Sequence, residues 1–255
     1  MTRLKKSCQL RSIFLLNNYK TRSKQPVFLL LKPIVLSVLC VAIITIVHGS
    51  KSITFSHQVA IFFGDSITYG DGASNSNTRW STLVANVLNL QEDNQAISGT
   101  VLQNTVPVLA NNGRARYQQD IIQRSPNYVY ILYGLNDLRY NGANFSTMNF
   151  QNDLDEVVAG LISARIPPSH IVIGSPPYIN PTGYSLYPPY NAGSTTKHRQ
   201  YRDATKAIAR RYHTKWADVY QYMLDRGAST LVSNDLIHPN DFGHQAIKNA
   251  MLKAN

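Results

Sequence analysis

Five consecutive apolar residues, Val59 to Phe63, run straight into Gly64-Asp65-Ser66-Ile67-Thr68-Tyr69-Gly70. A run so short and so apolar reads as a strand buried on both faces, the kind found in parallel sheets covered by helices. Its abrupt end places Ser66 at the strand's C-terminal edge, where open α/β sheets gather their ligands. Glycine and serine there also suit an ordinary strand-to-loop turn, so the stretch constrains the fold before it says anything of chemistry.

Downstream, strand-like runs alternate with helix-like stretches, the order expected of a parallel sheet with helices on both faces. Tyr128 to Tyr133 and His170 to Gly174 read as further strands, Lys215 to Val219 as a weaker one, and Asn94 to Ile97 as another. Helices are expected over Arg79 to Leu90, Tyr117 to Arg124, Phe150 to Arg165, Thr195 to Tyr212 and Gly243 to Leu252. Between Ser175 and Ser194 lies the longest irregular stretch, rich in proline and holding Tyr178, Tyr184, Tyr187 and Tyr190. It follows a strand's C-terminal end, so it is placed to overhang a site, and long loops of this kind often bind or cover. Tyr184, Tyr187 and Tyr190 are the substrate-binding candidates, because a tyrosine ring stacks on a sugar; packing of the loop onto its own domain is the competing use.

The N-terminus is of a different composition. Residues 1–32 hold eight Lys or Arg and no acid, and the first acidic residue of the chain is Asp65. Of the formal +11 this leader supplies +8, leaving 17 basic against 14 acidic side chains in the rest. The basic balance therefore describes the leader and gives no nucleic-acid surface. A fifteen-residue core, Pro33 to Val47, follows, uncharged throughout and apolar apart from Pro33, Ser37 and Thr45. That length lies between a signal-peptide core and a spanning helix of about 20 residues. Residues 1–50 are accordingly expected to be a basic cytoplasmic tail plus a signal peptide or an uncleaved signal anchor, and 51–255 an exported domain facing outward. Cys8 and Cys40 are the only cysteines and both lie in the leader, so the domain has neither disulfide nor thiol chemistry.

Four separated pieces carry chemistry: Gly64-Asp65-Ser66; Asn94 to Thr100 with Gly99; Gly134-Leu135-Asn136-Asp137; and Asp235-Leu236-Ile237-His238-Pro239. A serine hydroxyl attacks an ester poorly until an imidazole takes its proton, and the imidazole needs a carboxylate to fix its tautomer. Asp235 and His238 are three residues apart, and Pro239 biases His238 toward an extended backbone, so one short turn can present both. The oxyanion that develops needs preorganised donors, which the backbone N–H groups of Ser66 and Gly99 and the Asn136 amide can supply. Glycine at position 99 is expected for close backbone approach.

These four pieces resemble the signature blocks of the SGNH hydrolases, the GDSL esterase/lipase family, over about Val59 to Leu252. The resemblance implies a three-layer α/β/α sandwich with a flavodoxin-like parallel sheet. It implies Ser66 as nucleophile, His238 as general base and acid, Asp235 as its orienting carboxylate, and Ser66, Gly99 and Asn136 as the oxyanion hole. Neither metal nor organic cofactor is implied. The expected activity is hydrolysis of carboxylic esters, short-acyl esters of carbohydrate foremost. Lipase or lysophospholipase activity, acyl transfer to a sugar hydroxyl, and a non-catalytic binding module are the alternatives. The substrate partner is thus a small-molecule or glycan ester, with membrane contact only through an uncleaved leader.

Other titratable residues have ordinary readings. Asp65 and Asp137 are expected to be structural hydrogen-bond partners, and His244 a surface or capping residue opening the terminal helix. His57, His170, His198 and His213 are left as surface or satisfied core residues. Asp235, His238, Asp241 and His244 recur every third residue, but Pro239 and Gly243 argue against the continuous helix that a metal site on this spacing would need.

Overall fold

The structure, a computed structural model, describes residues 57–105 and 109–254. The leader, and with it the expected signal peptide or anchor, lies outside the described residues. Among the described residues no helix is long and apolar enough to cross a membrane.

Strand β1 (Val59–Gly64) is followed by the single turn α1 (Ser66–Tyr69), α2 (Trp80–Leu88) and β2 (Gln91–Asn94). Then come α3 (Gly113–Asp120), β3 (Tyr128–Leu132), the short α4 (Leu135–Arg139), α5 (Thr147–Ser163) and β4 (Ile171–Gly174). The chain continues through α6 (Thr195–Tyr212), β5 (Lys215–Ala217) and α7 (Val219–Leu224) to α8 (Asp241–Ala254). All strand pairs are parallel, in the order β2-β1-β3-β4-β5. Helix α8 packs against both α2 and α7 in one layer, and α5 against both α3 and α6 in the other. This is the α/β architecture with a flavodoxin-like strand order expected from the sequence.

The interior strands are apolar because helices cover both of their faces. Ala60 to Phe63 and Val129 to Leu132 are fully buried, and Phe62 stacks on Tyr130 with ring centroids 4.9 Å apart while meeting the Trp80 edge at 5.3 Å. Gly64 closes β1 for a steric reason: a Cβ there would stand 2.1 Å from Thr68 Oγ1 and 2.6 Å from the Leu132 carbonyl. The chain can turn sharply into α1 only without a side chain at this point.

Several boundaries differ from those expected. Helix α3 begins at Gly113 and ends at Asp120, with a 3₁₀ turn over Ile122–Arg124, where the sequence predicts one helix over Tyr117 to Arg124. Helix α5 begins three residues early, at Thr147. Strand β2 falls on Gln91–Asn94, upstream of Asn94 to Ile97, because an edge strand needs no apolar face: it pairs with β1 alone and its charges find partners, Glu92 with Arg79 at 3.1 Å and Asp93 with Arg124 at 3.1 Å. The fifth strand ends at Ala217, since Asp218 turns its carboxylate onto the Gln221 N–H and starts α7, which takes Val219. Within the long irregular stretch, Pro181–Ser185 forms a 3₁₀ turn capped by the Asn180 side chain.

In this strand order the direction of winding reverses between β1 and β3, and open α/β sheets bind ligands in the crevice outside that point. Ser66 follows β1 and Asn136 follows β3, so the two lie on either side of that crevice.

Candidate active site

Asp65 ends the extended chain and accepts a hydrogen bond from the Ile67 N–H at 3.1 Å, which caps α1 and leaves Ser66 as its first residue. Ser66 Oγ stands 3.0 Å from His238 Nε2. His238 Nδ1 stands 2.5 Å from Asp235 Oδ2. A carboxylate only accepts, so Nδ1 carries the proton and Nε2 is left as the acceptor for the serine hydroxyl.

The Asp235–His238 turn is built by Asp235 itself. Its Oδ1 accepts from the N–H groups of Ile237 and His238, each at 2.9 Å, with Leu236 held at a φ of +68° between them. Beyond the turn the His238 carbonyl accepts from Ser233 N–H at 2.8 Å, and Pro239 forms an antiparallel bridge with Val232. Burial pushes the Asp235 carboxyl up, but the hydrogen bonds from Ile237 and His238 outweigh it and hold it below the usual carboxylate range. It therefore stays ionised against the imidazole.

Asn136 and Asp137 grip the segment that carries Gly99. The Asn136 amide donates one N–H to the Thr100 carbonyl at 2.9 Å, and an amide has a second to offer. Asp137 accepts from the N–H groups of Leu102 and Gln103. Gly99 has a φ of +75°, and among the described residues, its chain neighbours aside, nothing lies within 4 Å of where its Cβ would be. The expected close approach is thus corrected: glycine is required there by its backbone conformation, which other residues adopt at a cost.

Ser66, Gly99, Asn136, Asp235 and His238 meet in one pocket of about 340 Å³. Tyr187 and Tyr190 line it as well, whereas Tyr184 does not. Tyr184 is buried and its hydroxyl donates to His198 Nδ1 at 2.8 Å, because His198 Nε2 is committed as donor to the Pro176 carbonyl. It serves the core and is withdrawn as a substrate contact.

Three lining residues, Asp71, Arg139 and Ile237, were not singled out from the sequence. A signal existed for Arg139: it is three residues beyond Asn136 on the same helix, hence on the same face. Its guanidinium is buried and donates to the Leu186 carbonyl at 3.2 Å; burial lowers its pKa, and the nearby Asp65 carboxylate opposes that. Asp65 in turn is pushed by burial to about 7, with the charge of Asp137 adding and the Ile67 N–H opposing.

His244 also departs from expectation. It is fully buried, accepting from the Trp80 N–H at 3.3 Å and donating to the Asp71 carbonyl at 3.2 Å, so it ties α8 to the loop after α1 and is neither a surface nor a capping residue.

Comparison with known proteins agrees with the geometry. The model of the GDSL-like lipase/acylhydrolase family matches residues 62–246. Among solved structures, a lipase/acylhydrolase from Enterococcus faecalis is similar with a TM-score of 0.61 at 17% identity, over 77% of this chain and 94% of that one. An acetylxylan esterase from Geobacillus stearothermophilus gives 0.59 at 20% identity, over 78% and 94%. An α/β hydrolase from the metagenome of Lake Arreo, Spain, gives 0.60 at 22% identity, over 77% and 94%. No curated protein matches the chain. With its family model spanning most of the sequence and its fold shared by these enzymes, the chain belongs to the GDSL-like lipase/acylhydrolase family, the SGNH-type serine ester hydrolases.

Proposed function

We propose that this enzyme removes short acyl groups, acetyl foremost, from esterified carbohydrate. One observation carries the reading: among the described residues lining the pocket Ile237 is the single aliphatic side chain, the rest being polar, glycine or tyrosine. Each methylene of a fatty acyl chain gains about 0.8 kcal/mol only where an apolar wall takes it out of water. Beyond Ile237 the described lining gives a long chain no aliphatic wall, and the apolar surface the pocket does have includes two tyrosine rings, which suit a sugar. The likeness to an acetylxylan esterase is consistent with such a substrate.

In the proposed reaction Ser66 Oγ attacks the ester carbonyl as His238 Nε2 takes its proton. Asp235 keeps the imidazole in the required tautomer and stabilises the imidazolium that forms. The carbonyl oxygen, now an oxyanion, is received by the N–H groups of Ser66, Gly99 and the Asn136 amide. The imidazolium then protonates the leaving alcohol, and water, activated by the same imidazole, releases the acid from Ser66.

Specificity constants for acetyl, butyryl, octanoyl and palmitoyl esters of one chromogenic alcohol test the acyl preference. They are expected to fall from acetyl onward. A maximum at octanoyl or longer would overturn the reading in favour of a lipase or lysophospholipase.

A further inference from the structure

Three of the four chemical blocks come from distant parts of the chain, and one segment is bonded to Gly99, to Asp235 and to the residues just beyond the Asn136 block. Residues 186–192 are anchored first to α4, the helix that carries Asn136: Arg139 donates to the Leu186 carbonyl at 3.2 Å, Asn141 N–H to the Pro189 carbonyl at 2.7 Å, and Ala192 N–H to the Arg139 carbonyl at 2.8 Å. From that anchorage Tyr190 donates its hydroxyl to the Gly99 carbonyl at 2.6 Å. Tyr187 donates its own to the Asp235 carbonyl at 3.2 Å.

The Tyr190 contact falls where packing is thin, and the Tyr187 contact comes from a strained backbone. Among the described residues, Gly99's chain neighbours aside, no atom lies within 4 Å of where its Cβ would stand. The carbonyl of the next residue, Thr100, is held by the Asn136 amide. The Gly99 carbonyl is held by Tyr190, whose ring meets the Tyr140 edge at 5.5 Å. Tyr187 adopts a φ of +61°, a backbone region that a tyrosine occupies only where its surroundings require it, and half of its surface is open while its hydroxyl is tied.

We infer that segment 186–192 is a positioning strap, in which the hydroxyls of Tyr190 and Tyr187 fix the Gly99 and Asp235 backbones so that the oxyanion donors and the imidazole relay share one geometry. The inference rests on the proposed roles of Ser66, Gly99 and Asp235 but not on the identity of the ester. It divides the work of each tyrosine, leaving the ring to face substrate and giving the hydroxyl to the enzyme. A donor displaced slightly from the oxyanion loses much of its worth, because its contribution depends on preorganised placement.

Tyr190→Phe and Tyr187→Phe remove only the hydroxyls and are compared with wild type in three ways: kcat and KM on an acetyl ester of a small chromogenic alcohol, the same on an acetylated oligosaccharide, and the rate at which an alkyl fluorophosphonate labels Ser66. For Tyr190→Phe, kcat is expected to fall by about 3- to 10-fold, the worth of one hydrogen bond, by the same factor on both substrates, with KM within twofold. Labelling should slow in parallel, and this last readout holds whichever ester is natural. Tyr187→Phe should shift the same quantities in the same direction by less, its bond being longer and more exposed. Unchanged kcat and labelling in Tyr190→Phe would overturn the inference. So would a KM rise confined to the oligosaccharide, since the hydroxyl would then serve the substrate. A fall in the number of titratable sites with normal turnover per site would overturn it too, by making the contact merely structural. A wild-type acyl preference for octanoyl would refute the proposed substrate and leave these outcomes readable.

Discussion

Two Asp-x-x-His units lie six residues apart near the C-terminus, and the fold uses them for opposite purposes. Asp235 and His238 face a pocket, bond to each other at 2.5 Å, and reach Ser66. In the second unit His244 is fully buried between the Trp80 N–H and the Asp71 carbonyl, while Asp241 accepts from Ser74 N–H and the Thr78 hydroxyl, each at 2.8 Å. The backbone makes the difference. Leu236 at positive φ and Pro239 after the histidine fold the first unit into a turn whose side chains meet, whereas the second opens α8 and sends its side chains to separate partners. Spacing alone is therefore silent on chemistry, and what each histidine is bonded to decides its use. The two units also meet through one short loop: the Asp71 carbonyl accepts from His244, and a Cβ on the adjacent Gly72 would lie 2.9 Å from that of His238. The structural unit thus holds the wall against which the proposed catalytic one rests.

Substituting the two histidines in turn is the sharpest way to break this comparison. His238→Ala, like Ser66→Ala, is expected to lower kcat by about 10⁴- to 10⁶-fold with the fold intact, and the double variant should be little worse than either single one, as for groups acting as a unit. His244→Ala should destabilise by about 2–4 kcal/mol, having orphaned a buried N–H and a buried carbonyl and left a cavity, while each remaining folded molecule keeps turnover within a few-fold. Thermal unfolding and phosphonate-titrated kcat on the same preparations check both. A His244→Ala enzyme that is stable but inactive per site would erase the distinction.

The acids give a smaller, parallel contrast. Asp235→Asn removes the charge that holds the imidazole's tautomer and should cost about 10²- to 10⁴-fold in kcat at little cost in stability. Asp241→Asn keeps an acceptor oxygen for Ser74 and Thr78, and should cost only about 0.5–1 kcal/mol through the lost charge at the start of α8. Activity near wild type in Asp235→Asn would show that backbone geometry, rather than the carboxylate's charge, sets the histidine.

What could be read beforehand followed physical necessity. Strands β1 and β3 were legible because interior strands of a parallel sheet must be apolar throughout, and α6 fell on its expected residues, Thr195–Tyr212. Strand β2 was not, since an edge strand can be Gln-Glu-Asp-Asn and satisfy its charges sideways. Ser66, Gly99, Asn136, Asp235 and His238 were gathered into one set because each has a chemical reason for its residue type. Arg139, Asp71 and the burial of His244 escaped for the converse reason: their surroundings come from segments far away in sequence, and no local pattern encodes them. Tyr184 and Tyr190 sit six residues apart in one loop, yet one feeds the core and the other the pocket, a division settled by the partners His198 and Gly99.

The last contrast concerns pH. In the fold His244 Nε2 donates to a carbonyl and Nδ1 accepts from an N–H, so protonation would set two donors, Nδ1–H and Trp80 N–H, against each other. Burial lowers its pKa from 6.5 to about 4, with the hydrogen bond to the Asp71 carbonyl opposing. A histidine whose folded pKa is depressed contributes stability that is present above its unfolded pKa and is lost as pH falls through the folded value. Asp65 and Asp137 act the opposite way. Burial raises them to about 7 and about 6, so their contribution is present at low pH and is lost as pH rises through those values. The wild-type curve alone therefore mixes opposing slopes, and the difference between wild type and His244→Gln separates them, because both proteins carry the same two acids. That difference is expected to be largest at pH 7 and to shrink by up to ~3 kcal/mol by pH 4. Denaturant unfolding of the two proteins at pH 7.5, 6 and 4.5 measures it. A gap that stays constant over this range would mean that His244 titrates alike in the folded and unfolded chains, and the proposed donor conflict at Trp80 would have to be abandoned.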